Sequence, residues 1–240
     1  EPLVLGKLAL NITSCPAPPQ PGSESVLTTS ITELIASLVE KQAKLPLTIG
    51  TLNNSRFAPK KDYSTNRLLC GRLQLAEGTQ LIVDETALQP GQLEESGLHN
   101  LQHLKDLIEY QKVDYNFEYY QMTMHCNVPV LVLSEGKSLL PNDISVPLCP
   151  TTQPTAGLLS EADVGMCRGY IAGTRQLECA IPPAVSDAIQ NKIVEARGQD
   201  QSITQEELHK WLTLARLVAV SYGHTELSMT HWEEMKQMEN

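Results

Sequence analysis

The chain has 240 residues, of which 41% are hydrophobic and 19% are charged, so it can bury a sizeable core and is not largely disordered. Its 18 Lys and Arg residues stand against 28 Asp and Glu residues. The resulting net charge of −10 argues against a generic nucleic-acid binder, which needs a basic surface to neutralise phosphates. No run of about 18 apolar residues occurs, so we expect no membrane-spanning helix.

The cysteines and the first residue bear on where the protein works. Six cysteines are scattered along the chain without a C-x-x-C pair, which favours reduced, mostly buried thiols over a disulfide framework. Reduced thiols fit a cytosolic or nuclear compartment. The sequence begins at Glu1 without a signal-peptide pattern, and the missing Met indicates a fragment of a longer protein.

The chain opens with short predicted elements separated by breaks. Apolar and polar residues alternate over residues 8–12, which predicts a strand. A proline-rich break at 16–22 follows, and Ser30 with Glu33 has the pattern of a capping box at the start of a helix. Apolar residues at 47–49 begin a predicted short strand.

The next stretch continues the alternation of strands and helices. Two apolar runs within residues 72–85 flank a turn-like pair, Glu77 and Gly78. Apolar residues recur at helical spacing over 98–108, and the continuous apolar run at 128–133 predicts a buried strand. This alternation predicts an α/β fold over residues 1–150, with a parallel sheet covered by helices.

The character of the sequence changes near residue 150. Residues 150–157 are rich in Pro, Thr and Gly and resemble a linker, after which we predict a small helical domain over 158–240. A second capping-box pattern at Thr204 and Glu207 begins one of its helices. The apolar residues of this helix recur at helical spacing: Leu208, Trp211, Leu212, Ala215, Val218 and Ala219.

One short motif points to chemistry. Residues 81–85 form an apolar strand that ends in two carboxylates, Asp84 and Glu85, which we call the Walker-B-like pair. In nucleotide-hydrolysing folds, the Asp of such a pair supports Mg²⁺ and the Glu orients the attacking water. Taken alone the pattern is weak, because many buried strands run into an acidic turn.

The surroundings of this motif resemble a known family of motors. Residues 71–85 resemble, without a gap, the segment that leads into the Walker B motif of minichromosome-maintenance (MCM) replicative helicase subunits. Residues 109–113 resemble the E-Q-Q-T-I of that family, 168–172 its R-x-Y-I-A, and 202–208 its I-T-x-R-x-L helix start. The order and spacing agree over nearly the whole chain. The resemblance implies an AAA+-type fold, an α/β core followed by a helical lid.

The parts that grip nucleotide in that family are missing from this sequence. No G-x-x-x-x-G-K-[ST] motif occurs, and the turn at 11–19 contains three prolines, which offer no N–H to a phosphate. Glu135 stands at the position of the family's sensor asparagine, and Glu206 stands at the position of its lid arginine. The family's arginine finger would lie within residues 141–150 and has no counterpart, because no Arg occurs there. A carboxylate at the sensor position would repel a γ-phosphate. We therefore interpret the Walker-B-like pair as vestigial and expect no catalytic residue, no cofactor and no metal.

A second resemblance is closer, to the minichromosome-maintenance complex-binding protein family, of which the chain looks like the C-terminal part. Thr86 favours it, because the helicase subunits carry Phe there. The matching stretches are residues 5–11, 57–63, 83–86, 91–93, 111–115 and 134–141. The resemblance implies a non-catalytic nuclear regulator, also found in the cytoplasm, that binds MCM subunits. It also implies promotion of their unloading from chromatin and a role in sister-chromatid cohesion.

Two other functions stay open at this point. The chain is also compatible with a divergent AAA+ ATPase whose phosphate loop has an unusual form or lies before Glu1. An inactive, helicase-subunit-like factor that binds DNA is the weakest alternative, because of the net charge of −10.

Three residue clusters have both a structural and a functional interpretation. His99 and His103 have a spacing that can hold zinc, but no third ligand supports a metal site, and an exposed helix face is the simpler reading. The basic cluster reads as a solvated face or as a contact with an acidic partner or DNA: Arg56, Lys60, Lys61, Arg67 and Arg72. The aromatic cluster reads as strand packing or as a contact hairpin: Tyr110, Tyr115, Phe117, Tyr119 and Tyr120.

Overall fold

The computed structural model describes residue 4 and residues 6–19, 25–149, 160–199 and 203–239. Over these residues the chain divides into two compact units, residues 1–156 and 157–240. The first unit contains nine described strands and three helices, and the second contains four described helices. None of the described helices is both long and apolar enough to cross a bilayer.

The elements of the first unit are, in chain order, β1 (Ala9–Thr13), α1 (Val26–Leu38), β2 (Gln42–Pro46), α2 (Ile49–Asn54), β3 (Lys60–Asp62), β4 (Arg67–Leu69), β5 (Gln80–Asp84), α3 (Glu95–Tyr110), β6 (Lys112–Asn116), β7 (Gln121–His125), β8 (Val130–Leu133) and β9 (Ile144–Pro147). Those of the second unit are α4 (Glu161–Thr174), α5 (Pro183–Gln199), α6 (Gln205–Ser221) and α7 (Met229–Glu239).

A five-stranded parallel sheet forms the centre of the first unit. Its strand order is β2-β5-β8-β1-β9, and every neighbouring pair is parallel. Helices flank this sheet, because its central strands bury both faces. In β5, Leu81 and Val83 join one core cluster, with α2 and α3, whereas Ile82 joins another, against which Ile31 and Ile35 of α1 pack. The predicted α/β fold with a helix-covered parallel sheet is confirmed.

A second, four-stranded sheet has the order β4-β3-β6-β7. Strands β3 and β4 form one antiparallel hairpin, and β6 and β7 form another. A single parallel pairing of Lys60 with Asn116 joins the two hairpins. The basic cluster lies largely on the first hairpin and beside it, and the aromatic cluster lies largely on the second.

Two predicted helix and strand starts are wrong. The helix predicted to be capped by Ser30 begins earlier, at Val26, and Ser30 Oγ lies inside it, donating to the Val26 carbonyl (3.0 Å). At 47–49 the structure has a helix start, because Thr48 Oγ1 accepts a hydrogen bond from Thr51 N–H (3.0 Å) and so caps α2. A Ser or Thr inside a helix and one at its start look alike in sequence.

The first apolar run within 72–85 is also not a strand. Leu73 lies in a turn, where its side chain is buried and its N–H donates to the Phe57 carbonyl (3.0 Å). The second run is β5, and Gly78 makes the predicted turn with a φ of +73°. The predicted helix at 98–108 and the buried strand at 128–133 are confirmed as α3 and β8.

In the second unit, the capping box at Thr204 and Glu207 is confirmed, since each side chain accepts from the other's backbone N–H. The predicted apolar stripe of α6 packs with Leu227, Trp232 and Met235 in one core. The predicted linker, 150–157, and residues 20–22 of the proline-rich break lie outside the described residues. The domain limits at 150 and 158 therefore stay predictions.

Candidate functional site at the carboxyl edge of the parallel sheet

The carboxyl ends of the five parallel strands meet at one edge of the sheet, where a ligand crevice is expected. Strand β1 connects to β2 at one side of the sheet, whereas β8 connects to β9 at the other, so the strand order reverses between β1 and β8. Ligands of open α/β sheets bind at such a reversal, beyond the strand ends. The Walker-B-like pair ends the neighbouring strand β5, in which Asp84 pairs with Leu133 of β8.

The ends of β1 and β8 at this reversal are closed against each other by two backbone hydrogen bonds. The N–H of Ser14 donates to the Glu135 carbonyl (3.2 Å), and the N–H of Cys15 donates to the Ser134 carbonyl (3.0 Å). These bonds continue the pairing of β1 with β8 past the last sheet residues, and Ser14 takes a left-handed φ of +63° to make the turn. Within the described part of this turn, the amides of Ser14 and Cys15 are therefore not available to a phosphate, and three of the next four residues are prolines.

Asp84 is buried, and both of its carboxylate oxygens have partners within the protein. Its Oδ1 accepts hydrogen bonds from Thr86 Oγ1 (2.6 Å) and Thr86 N–H (3.1 Å). Its Oδ2 lies 3.7 Å from the ammonium of Lys44 on the adjacent strand β2. A carboxylate with 2% exposure that has these partners is a structural anchor at the end of β5.

Glu85 faces the loop that follows β8. Its Oε1 accepts from Ser138 Oγ (3.0 Å), and Ser138 Oγ in turn accepts from the Leu140 N–H (2.9 Å). Burial raises the pKa of Glu85, and this effect outweighs the hydrogen bonds from Ser138 and from the backbone of Leu139 and Leu140 that favour its ionised form. The second member of the Walker-B-like pair thus fastens the loop between β8 and β9.

Cys15 is buried in the core cluster that contains Ile82 and Leu131, and this environment makes its thiol unreactive. Burial, and next the negative charge of Asp84, raise the pKa of its thiol, which keeps the thiol protonated. All six cysteines are free. The prediction that they are mostly buried is wrong, because only Cys15 and Cys179 are buried and Cys70 and Cys149 are exposed.

A groove of about 450 Å³ remains at the same reversal, along the ends of β1, β8 and β9, and the bonded residues Ser14 and Glu135 are among those that line it. Glu135, at the predicted sensor position, is exposed on its rim near Lys137. Within the groove, Asn11 Nδ2 is buried and has no partner among the described residues. Turning this amide over gives Nδ2 the Ser134 oxygen as an acceptor, while Ser134 donates its proton to the Gly136 carbonyl (2.8 Å).

Glu206, at the predicted lid-arginine position, belongs to the second unit. It is exposed in the first turn of α6, next to the capping residue Glu207. A negative charge there is favourable because it meets the positive end of the helix dipole. Glu206 therefore has a local role at a helix start.

The remaining predicted clusters are placed as follows. Among the described residues, no group of three or more His, Cys, Asp or Glu side chains is arranged to hold a metal ion. His103 is partly buried on α3, and burial lowers its pKa. Within the basic cluster, Lys61 donates to Asn66 Oδ1 (2.7 Å). In the aromatic cluster, Tyr115 packs on the core, whereas Tyr119 is 83% exposed at the tip of the β6–β7 hairpin.

The Walker-B-like pair is apparent from the sequence, but two of the residues that hold it are not. Lys44 and Ser138 lie far from the pair along the chain, and no local pattern links them to it. Thr86 was singled out as a residue type, and the structure explains it as the donor to Asp84. Met122 and Met124 are exposed on β7, and the sequence does indicate this strand, because Met alternates there with polar, uncharged residues.

Comparison with known proteins shows which chains share this sequence. Proteins named mini-chromosome maintenance complex-binding protein are similar over 99% of the chain. The one from Gallus gallus is 42% identical over 249 residues, the one from Arabidopsis thaliana 40% over 238, and the one from Homo sapiens 40% over 248. The chain spans 38% to 40% of the length of these relatives.

A family model gives the same assignment over the full sequence. The model described as mini-chromosome maintenance replisome factor matches residues 1–240. With this match and the relatives at about 40% identity, the chain belongs to the mini-chromosome maintenance replisome factor family.

Proposed function

We propose that this chain is a non-catalytic part of a DNA-replication regulator that binds subunits of the MCM helicase. The names of its relatives, which refer to binding of the MCM complex, support the partner. The absence of catalysis is supported by the closed carboxyl edge, where the amides of Ser14 and Cys15 bond to the turn after β8. That closure is the single observation that carries the proposal.

The occupied carboxylates support the same conclusion. A Walker B aspartate must be free to reach Mg²⁺, and its neighbouring glutamate must reach a water molecule. Here Asp84 is bonded to Thr86 and paired with Lys44, and Glu85 is bonded to Ser138. Freeing Asp84 would leave the hydroxyl and N–H of the buried Thr86 without this acceptor, which costs about 1–3 kcal/mol for each group.

The proposal includes an AAA+-like order of elements that is kept without its chemistry. A helix-flanked parallel sheet followed by a helical unit is the arrangement that the helicase resemblance implies. AAA+ subunits of the helicase meet where one subunit's nucleotide site faces a neighbour's arginine. A chain with these elements and neither half of that chemistry can occupy a neighbour's face without triggering hydrolysis.

The finer biological role is part of the same proposal. By competing for a face between subunits, such a chain would promote unloading of the helicase from chromatin late in replication, and in this way affect sister-chromatid cohesion. This role places the protein in the nucleus, with a further pool in the cytoplasm. The reduced state of all six thiols is compatible with both compartments.

Size-exclusion chromatography of the chain with individual purified helicase subunits tests the proposal. We expect at least one subunit to co-elute with the chain, and the complex to form equally well with and without ATP and Mg²⁺. Failure of every subunit to shift would overturn the proposed partner. A complex that forms only with ATP bound to this chain would overturn its non-catalytic character.

A further inference from the structure

The second sheet of the first unit ends in an open edge strand. Strand β7 is the last in the order β4-β3-β6-β7, and all five of its residues, Gln121–His125, are exposed. Natural proteins usually protect such an edge with Lys, Pro or a bulge, because its unpaired backbone groups can pair with another chain. The sequence of β7 is Gln-Met-Thr-Met-His and contains neither Lys nor Pro.

Hydrogen bonds at the two ends of the β6–β7 hairpin define which backbone groups of β7 face β6 and which face away from it. The N–H of Phe117 donates to the Tyr120 carbonyl (2.9 Å), and the N–H of Cys126 donates to the Gln111 carbonyl (2.8 Å). Hydrogen-bonded and non-bonded pairs alternate along an antiparallel ladder. With the observed register, the pairs that contain Met122 and Met124 are therefore the bonded ones.

The three other residues of β7 direct their backbone groups away from β6. These are Gln121, Thr123 and His125, whose N–H and C=O groups line the open edge at a spacing of two residues. No other strand pairs with this edge in the part of the chain that the structure describes. The edge thus presents a row of donors and acceptors that matches one added strand.

The sheet face beside this edge is apolar and only half covered. Met124 lies opposite Val113 and Met122 opposite Tyr115, so all four side chains share one face. Val113 is buried and Tyr115 packs on the core, but Met122 and Met124 remain 46% and 45% exposed. The apolar face is therefore covered at β6 but only partly covered at β7. Met side chains adapt readily to the shape of a partner.

The tip of the hairpin is held rigidly, which lowers the entropy cost of binding. Phe117 stacks on Tyr120 with ring centroids 5.0 Å apart, and Tyr63 of the β3–β4 turn packs edge-on against Tyr119 at 5.6 Å. The Tyr63 hydroxyl also donates to the Phe117 carbonyl (2.9 Å). Exposed aromatic side chains that are already fixed in place are typical anchors of protein interfaces.

We propose that the open edge of β7, with the half-covered face of Met122 and Met124, is a docking surface that takes up one extended strand of a partner protein. This inference rests on the proposed function and assigns the strand to a helicase subunit. The partner strand would carry apolar side chains at alternate positions, so that they continue the face formed by the two methionines.

Charge decides between this occupant and a second copy of the chain. Strand β7 contains no Asp, Glu, Lys or Arg, so the charge that opposes a second copy is that of the whole chain, because each copy would bring a net charge of −10. A partner strand with a basic residue beside the exposed Glu118 at the hairpin tip is favoured instead. The partner is therefore an apolar strand with a flanking Lys or Arg.

A proline at the centre of the edge tests the proposal with a matched control. Thr123→Pro removes one outward N–H and leaves the ladder to β6 intact, whereas Thr123→Val removes only the hydroxyl that donates to Asp114. We expect Thr123→Pro to weaken binding of the purified helicase subunit at least about tenfold, and Thr123→Val to change it by less than about twofold. Equal affinity of wild type and Thr123→Pro would overturn the docking surface and leave the proposed function standing.

The other outcomes are also decisive. If Thr123→Pro fails to fold in a thermal melt, Met122→Lys replaces it, since it charges the apolar face and should weaken binding to a similar degree. Loss of binding in Thr123→Val as well would mean that binding depends on the hydrogen bond from Thr123 to Asp114 within the hairpin and not on the open backbone edge. This result would overturn the proposal. If the wild type binds no subunit at all, the proposed function and this inference both fail.

Hydrogen exchange distinguishes the occupants. The amides of Gln121, Thr123 and His125 should exchange rapidly in the free protein and slowly in the complex. Slow exchange in the free, monomeric protein would show that another segment of the same protein covers the edge. A dimer that becomes monomeric in Thr123→Pro would assign the edge to a second copy. Either result overturns the inference.

Discussion

Two edges of the first unit differ in how their polar groups are used. At the carboxyl edge of the parallel sheet, backbone amides, Asp84 and Glu85 are all bonded to groups of the same chain. At the edge formed by β7, backbone groups of Gln121, Thr123 and His125 point away from their own sheet. The first edge is where an enzyme of this architecture would bind its ligand, and the second is where a partner chain can pair.

The difference illustrates what catalysis and protein recognition each require of polar groups. Chemistry needs polar groups that are buried yet left free for a substrate, and such groups are costly unless the substrate compensates them. Once they are bonded internally, as Asp84 is to Thr86, the pocket becomes part of the stable core. Recognition of a protein needs only exposed groups in a rigid arrangement, which the stacked hairpin tip provides.

The largest expected effect comes from removing the buried carboxylate of Asp84. Asp84→Ala removes the acceptor of the buried Thr86 hydroxyl and N–H and the carboxylate that faces Lys44, so we expect the free energy of unfolding to fall by about 2–4 kcal/mol. Urea denaturation measures this. The matched control is Glu135→Ala, an exposed carboxylate at the neighbouring strand end, which should change stability by less than about 0.5 kcal/mol. Equal, small effects of both variants would show that the carboxyl edge is not internally paired.

The second test uses pH at the same edge. Burial raises the pKa of Glu85 above its ordinary value of 4.5, so folding favours the protonated form. The stability that this group contributes is present below that ordinary value and is lost as pH rises through the raised pKa of the folded state. Glu85→Gln does not titrate, so its stability relative to wild type should increase from about pH 4.5 upward. A pH-independent difference in urea denaturation would contradict the burial of this carboxylate.

A smaller effect is expected at the open edge. Tyr63→Phe removes the hydrogen bond to the Phe117 carbonyl, so the amides of the hairpin tip should exchange faster while global stability falls by no more than about 1 kcal/mol. The control is Tyr119→Phe, which removes a hydroxyl on an 83% exposed side chain. Unchanged exchange at the tip in Tyr63→Phe would mean that Tyr63 does not hold the hairpin.

The smallest effect concerns Asp62, which shapes the turn that carries Tyr63. Its carboxylate accepts from the hydroxyl of Thr65 (2.7 Å) and from the hydroxyl (2.7 Å) and N–H (2.9 Å) of Ser64, which lowers its pKa to about 2. These bonds form with the ionised group above its ordinary value of 3.8 and are lost as pH falls through about 2. NMR titration should give that pKa, and Thr65→Ala should raise it. A value near 3.8 in the wild type would contradict the turn geometry.

Local patterns in the sequence predicted the elements whose signals are self-contained. The capping box at Thr204 needs only Glu207, and the buried strand β8 needs only its own apolar run. The start of α1 could not be predicted in this way, because its N-cap residue, Ser25, makes no side-chain capping bond, whereas Ser30 has the capping pattern but lies inside the helix.

The candidate site shows the same limit. The position of Asp84 and Glu85 at a strand end followed from the apolar run that precedes them. Their partners Lys44 and Ser138 come from another strand and another loop, so only the folded sheet brings them together. The open edge of β7 could not be predicted from the sequence either, because the position of a strand at the end of a sheet depends on how all the other strands pair.

Titration with a fluorescent ATP analogue in the presence of Mg²⁺ tests the central claim most directly. Since the amides after β1 are bonded to the turn after β8, we expect no saturable binding up to about 1 mM nucleotide, in wild type or in Asp84→Asn. Micromolar affinity in the wild type that is lost in Asp84→Asn would contradict the closed edge and restore the chain as an ATPase.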